Sequence, residues 1–312
     1  MRRQQISGIL NIDKPAGMTS HDVVAHVRHL SGTKRVGHAG TLDPLATGVL
    51  VVCLGQATRV AEYLMASDKV YRAQIRLGVS TDTHDAEGEV TATTEVDVRE
   101  KEVREALASF IGSIQQVPPM HSALKHKGIP LYRLARQGIT VEREPRSVEI
   151  HNIELLDYFN KAQYKWSPPM LAIRVECSPG TYIRALARDL GQKLGCGAHL
   201  QSLTRLASGH FTLEKAVSLD ELAEAFAHFG GAQYKQGIWQ KFIHPLDEAL
   251  LDFEPMVVDA QTEKRIRHGQ QIQGPDTSGL RRAYSKKGGL IAILRRDPQT
   301  GLWQPQKVFT AS

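Results

Sequence analysis

Cysteine is scarce in this chain, and no long apolar run is present. The three cysteines of the 312-residue sequence, Cys53, Cys177 and Cys196, form neither a paired spacing nor a metal signature. That excludes a disulfide scaffold and fits a reducing compartment, so the expectation is a cytoplasmic protein. No stretch approaches the roughly 20 apolar residues of a membrane-spanning helix. The basic start Met1-Arg2-Arg3-Gln4-Gln5 leads into no apolar signal core. Cofactor motifs are missing too. Gly32-Thr33-Lys34-Arg35-Val36-Gly37 begins like a phosphate loop, but His38 stands where its lysine belongs. Asp82-Thr83-His84-Asp85-Ala86-Glu87-Gly88 fails the ligand register of a calcium loop and reads as an acidic turn. His21, His26 and His29 are not spaced as paired ligands on one helix face. The sequence therefore predicts no cofactor, no metal and no membrane association.

What is present is an ordinary globular composition, 41% hydrophobic and 23% charged, with a net charge of +6 and a pI near 9.2. A basic balance points to a polyanionic partner, and its distribution says more. Residues 1–42 hold Arg2, Arg3, Lys14, Arg28, Lys34 and Arg35 against Asp13 and Asp22, with His21, His26, His29 and His38 in the same stretch. A cationic segment of this kind suits phosphate contacts, although a solvated charged face has the same composition.

Periodicity predicts strands interleaved with helices, hence α/β or α+β. Ser20 caps a helix to about His29 with Val23, Val24, Val27 and Leu30 on one face and Gly32 as its stop. Val49–Leu54 reads as a buried strand, followed by a helix carrying Val60 and Leu64 inward. Tyr71, Ala73, Ile75 and Leu77 alternate with polar residues, as do Leu171, Ile173 and Val175. Further helices are expected over 98–111, from Thr181, and from the Ser218/Glu221 capping box to Phe226. Residues 125–147 are rich in Lys, Arg and Gly with little periodicity. From about residue 250, punctuated by Pro245 and Pro255, a short helix at Ile266 and turn-rich strands look like a separate unit.

The densest segment is Gly37-His38-Ala39-Gly40-Thr41-Leu42-Asp43-Pro44-Leu45-Ala46-Thr47-Gly48. Pro44 pushes Asp43 toward extended backbone, and Gly40 and Gly48 permit turns that other residues resist. A carboxylate so constrained is either a helix cap, with Pro44 at the first helical position, or a reactive group. Taken with Gly8–Pro15, Gly17-Met18-Thr19-Ser20, Lys69-Val70-Tyr71, Pro118–Lys125, Cys177–Arg184 and Leu203-Thr204-Arg205-Leu206, in that order and spacing, the segment resembles the TruB family of pseudouridine synthases over nearly the whole chain.

The resemblance implies a mixed, mostly antiparallel central sheet with flanking helices (α+β) over residues 1–249, with an RNA-clamping insertion at about 125–147. It implies a small β-rich, PUA-like RNA-binding domain over 250–312. It implies isomerisation of a T-loop uridine of tRNA (U55) to pseudouridine by a stand-alone, monomeric enzyme acting on the T-arm without guide RNA. Asp43 is then the catalytic carboxylate, able to attack C1′, to stabilise charge there or to remove a C2′ proton. Arg184 is its paired arginine, preferably in a bidentate contact that keeps it ionised despite burial. Tyr71 stacks on the uracil and assists proton removal from C5. His38 fills the stack left by the flipped base. Lys69 is a support or phosphate contact, Tyr182 touches the base or Asp43, and Leu203 lines the pocket.

Overall fold

The computed structural model describes residues 6–159, 169–227 and 239–310; the basic start Met1–Gln5 lies outside them. The strands that carry the argument are β1 (Gly8–Lys14), β2 (Val36–His38), β3 (Thr47–Leu54), β4 (Lys69–Leu77), β5 (Gly112–Gln116), β6 (Arg146–Phe159), β7 (Met170–Cys177), β8 (Ala198–Ser208), β9 (Glu254–Val258), β10 (Leu280–Ser285), β11 (Leu290–Arg296) and β12 (Trp303–Val308). The helices are α1 (Ser20–Ser31), α2 (Ala61–Ala66), α3 (Glu100–Ala108), α4 (Leu131–Ala135), α5 (Ile183–Lys193), α6 (Leu219–Ala227) and α7 (Ala260–Arg267).

One large sheet runs in the order β1-β3-β8-β4-β7-β6-β5, with Val217–Ser218 beside β1. Its pairings are antiparallel except β3 with β8 and β1 with Val217–Ser218. The architecture is α+β, a mostly antiparallel sheet with flanking helices. The apolar run of β3 is buried on both faces, which explains why it lacks alternation. Leu50, Val52 and Leu54 face the main core with Val23 and Val27 of α1 and Leu186 and Leu190 of α5. Val49, Val51 and Cys53 face a second core with Leu64 of α2. On β4, Tyr71, Ala73, Ile75 and Leu77 enter the main core while Arg72 is exposed.

Two local expectations change. The N-cap of α1 is Thr19, whose side chain accepts from the Asp22 amide at 3.1 Å while Asp22 accepts from the Thr19 amide at 2.8 Å. Ser20 is buried inside the first turn and bonds elsewhere. Residues 125–147 are more ordered than their composition implies. A short hairpin (Lys125–His126 with Ile129–Pro130) leads into α4, whose Leu131 and Leu134 are buried.

The C-terminal strands form a second sheet, β9-β10-β11-β12, over a core containing Ile266, Ala292 and Trp303. This unit is docked rather than free. Ile293 and Phe309 pack with Val49 and Val51 in the second core, and Leu250 joins them. Gln56 and Thr310 exchange two hydrogen bonds, at 3.1 and 3.0 Å, and Lys307 pairs with Glu62.

Candidate active site

The segment 39–48 is a loop between β2 and β3, and Asp43 caps no helix. Its backbone is tied from four directions. Lys14, at the end of β1, is fully buried and donates to the carbonyls of Pro15 (2.8 Å), Met18 (2.6 Å) and Pro44 (3.3 Å). The Gly17 amide also donates to Pro44 O, at 2.8 Å. Ser20 Oγ accepts from the Leu42 amide at 2.8 Å and donates to its carbonyl at 3.1 Å. From β8, the buried Arg205 donates to Val49 O (2.7 Å), Gly40 O (3.1 Å) and Thr41 O (3.4 Å). Gly40 and Gly48 take φ of +104° and +93°, the turns foreseen for them.

Against this loop stands α5, whose first turn carries Arg184. Arg184 Nε lies 3.0 Å from Asp43 Oδ2; the guanidinium is nearly buried, while the carboxylate is about one-third exposed. The expected fork on Asp43 alone is not what forms. Arg184 Nη1 reaches Asp85 Oδ2 at 3.2 Å and Nη2 donates to His121 O at 2.6 Å. Burial pushes the Asp43 carboxyl above the ordinary carboxylate value; Arg184 pulls it back and Asp85 opposes that pull. The guanidinium therefore moderates the cost of ionising Asp43 without overcoming it.

Tyr71 is buried on β4, and burial raises its phenol while the charge of Arg205 pulls the other way; Asp43 also acts on it electrostatically. Tyr182 precedes α5, its amide donating to Gln116 Oε1 at 2.8 Å and its carbonyl accepting from Gln116 Nε2 at 3.0 Å. Its phenol is raised by burial, with the Asp43 charge within reach. Leu203 is buried in the main core opposite Ala73. His38 ends β2, its ring edge-on to His21 with centroids 5.4 Å apart. Burial, then the neighbouring His21 and Arg205, lowers its pKa to about 4, so the ring is neutral near pH 7. Lys69 is engaged by backbone carbonyls. It is buried, and its ammonium donates to the carbonyls of Leu64, Met65 and Ser67 at the end of α2. Of its two expected uses, this geometry serves support and leaves no donor facing a phosphate.

Sequence reading missed Asp85, Gln116 and the specific work of Ser20, Lys14 and Arg205. Asp85 reads in the sequence as one acid of an acidic turn, yet it is buried, with Thr83 Oγ1 donating to it at 2.5 Å. A strand-end polar residue such as Gln116 carries no local signal. Lys14 and Arg205 stand inside recognisable motifs, but nothing in composition says that a lysine or an arginine will be buried against carbonyls.

The site is thus a loop-borne carboxylate ion-paired to a buried arginine, with two tyrosines within its electrostatic reach, on a mostly antiparallel sheet, and comparison with known proteins gives its class as the pseudouridine synthases. Over 97% of the chain the fold superposes on a Cbf5-Nop10-Gar1 complex chain (TM-score 0.74, 27% identity, 85% of that chain). It does likewise on a chain of an H/ACA RNP bound to a substrate RNA containing 2′-deoxyuridine (TM-score 0.73, 25% identity, 85% of that chain). Family models described as the TruB family pseudouridylate synthase N-terminal domain and the tRNA pseudouridylate synthase B C-terminal domain match residues 28–183 and 184–251. The tRNA pseudouridine synthase B of Dechloromonas aromatica is 47% identical over 93% of this chain and 91% of its own length; that of Dehalococcoides mccartyi is 44% identical over 97% of both. The chain belongs to the TruB family of pseudouridylate synthases.

Proposed function

We propose that this enzyme converts U55 in the T-loop of tRNA to pseudouridine, recognising the T-arm itself and using no guide RNA. The observation that carries this reading is the Asp43–Arg184 pair on an over-tied loop, in a chain of this family. The reaction breaks N1–C1′, turns the uracil and bonds C5 to C1′, an isomerisation that consumes no donor. Asp43 meets the ribose as the ionised carboxylate, whichever of nucleophilic attack, charge stabilisation or C2′ proton removal it performs. Tyr71 faces the uracil, Leu203 lines its pocket, and Tyr182 contacts the base or Asp43. His38, neutral and therefore cheap to desolvate, fills the stack vacated by the flipped nucleotide. Residues 250–312 act as a PUA-like RNA-binding domain beside a catalytic domain of residues 1–249, and segment 125–147 closes over the RNA. The protein works as a cytoplasmic monomer; among its described residues no helix is long and apolar enough to cross a membrane. Site-resolved pseudouridine mapping on tRNA, and on an isolated T-arm hairpin without other RNA, tests the reading. Product confined to the T-loop position is expected; product elsewhere, or only with an added guide, overturns it.

A further inference from the structure

Arg205 is among the largest fully buried side chains and has no carboxylate partner among the described residues. A buried guanidinium without a counter-charge is costly to keep. Its position indicates what it does. On β8 it stands directly opposite Tyr71 of β4 in the antiparallel register and opposite Gly48 of β3 in the parallel one. Directly opposed residues project from the same face of a sheet, so the guanidinium and the phenol lie side by side. The same group ties down Gly40 O, Thr41 O and Val49 O on both flanks of Asp43. Close approach at this crossing is enforced by sequence: a β-carbon on Gly48 would lie 2.3 Å from Arg205 O.

Resting on the function proposed above, we propose that Arg205 is the positioning residue that makes Tyr71 a proton acceptor and registers its phenol oxygen against the Asp43 loop. After C5 bonds to C1′, the uracil ring holds a proton on C5 and none on N1. The phenol oxygen takes the C5 proton, the C–H pair becomes the C5=C6 bond, the C6=N1 pair moves onto N1, and N1 gains the proton that the phenol gives up. Protons and electrons balance with no co-reactant. The anionic phenol that passes through this exchange is the species an adjacent buried cation stabilises. Arg205 also pulls the phenol pKa down against the rise imposed by burial.

The test uses T-arm hairpin RNA tritiated at C5 of the target uridine, with single-turnover release of tritium and RNA Kd as readouts. Arg205→Lys keeps the charge and loses the fork; it is expected to slow release by about 10²-fold or more, while Kd changes less than about threefold. In a Tyr71→Phe background the same substitution is expected to add less than about threefold, because the acceptor is already gone. Fully additive losses overturn the proposal. Should Arg205→Lys not fold, 3-fluorotyrosine at position 71 in the wild-type framework supplies the second measurement. The more acidic phenol is expected to move the pH profile of tritium release downward, and an unmoved profile overturns the proposal. Wild-type protein making no pseudouridine sinks the functional reading instead, so the two failures are distinguishable.

Discussion

Asp43 has a chemistry at odds with its surroundings, and that conflict is measurable. Burial and Asp85 raise its pKa while Arg184 opposes them, and the net direction is upward. The folded state thus binds this proton more tightly than the unfolded chain, so ionisation of Asp43 costs stability above its folded pKa and the cost vanishes as pH falls through it. Asp43→Asn is therefore expected to melt no lower than wild type at neutral pH, since Arg184 keeps Asp85, while losing turnover and retaining RNA affinity. A clear drop in thermal midpoint contradicts this. For activity the sign is opposite: turnover rises with pH as Asp43 ionises, so the acid limb of kcat should lie above the ordinary carboxylate value of 3.8. Arg184→Lys and Asp85→Asn are both expected to lower kcat by about 10²–10³-fold with little change in Kd, the first by losing the shared fork and the second by letting it swing. Equal losses in rate and affinity would count against both.

Among elements, the Asp43 loop is held by residues from β1, α1 and β8, and substitution of its glycines tests that rigidity. Gly48 takes φ of +93° with Arg205 O in the path of any β-carbon, so Gly48→Ala is expected to cost about 1–3 kcal/mol and to lower kcat together. Denaturant unfolding beside single-turnover rates checks this; a neutral variant means the strand crossing is looser than drawn. Much of this framework was legible beforehand. The period-two pattern at Tyr71–Leu77, the apolar run of β3, the start of α5 and the Ser218/Glu221 box all correspond to observed elements. Alternation and capping are local physics, and local physics can be read from a string. Who ties the loop could not be read, because Lys14, Ser20 and Arg205 look like surface or capping residues until tertiary contacts bury them. Asp85 was misplaced for the same reason: an acid in a turn is solvated unless a distant arginine comes to meet it.

For the whole molecule, the separateness suggested by the sequence after residue 250 does not extend to packing. The outer face of β3, Val49, Val51 and Cys53, is covered jointly by Leu64, Leu250, Ile293 and Phe309. Removing residues 250–312 would bare a contiguous apolar surface on the strand that follows Asp43, and such patches drive association. The truncated protein is accordingly expected to show a lower thermal midpoint and concentration-dependent aggregation, together with weaker tRNA binding. The two effects separate through salt. Loss of phosphate contacts flattens the dependence of log Kd on log salt by about 0.7–0.9 per contact removed, whereas a damaged core leaves that slope unchanged and shortens only the lifetime of active protein. A truncation that stays monomeric, melts like the full chain and turns over a short hairpin at the full rate would show that the second core contributes nothing to holding the Asp43 loop.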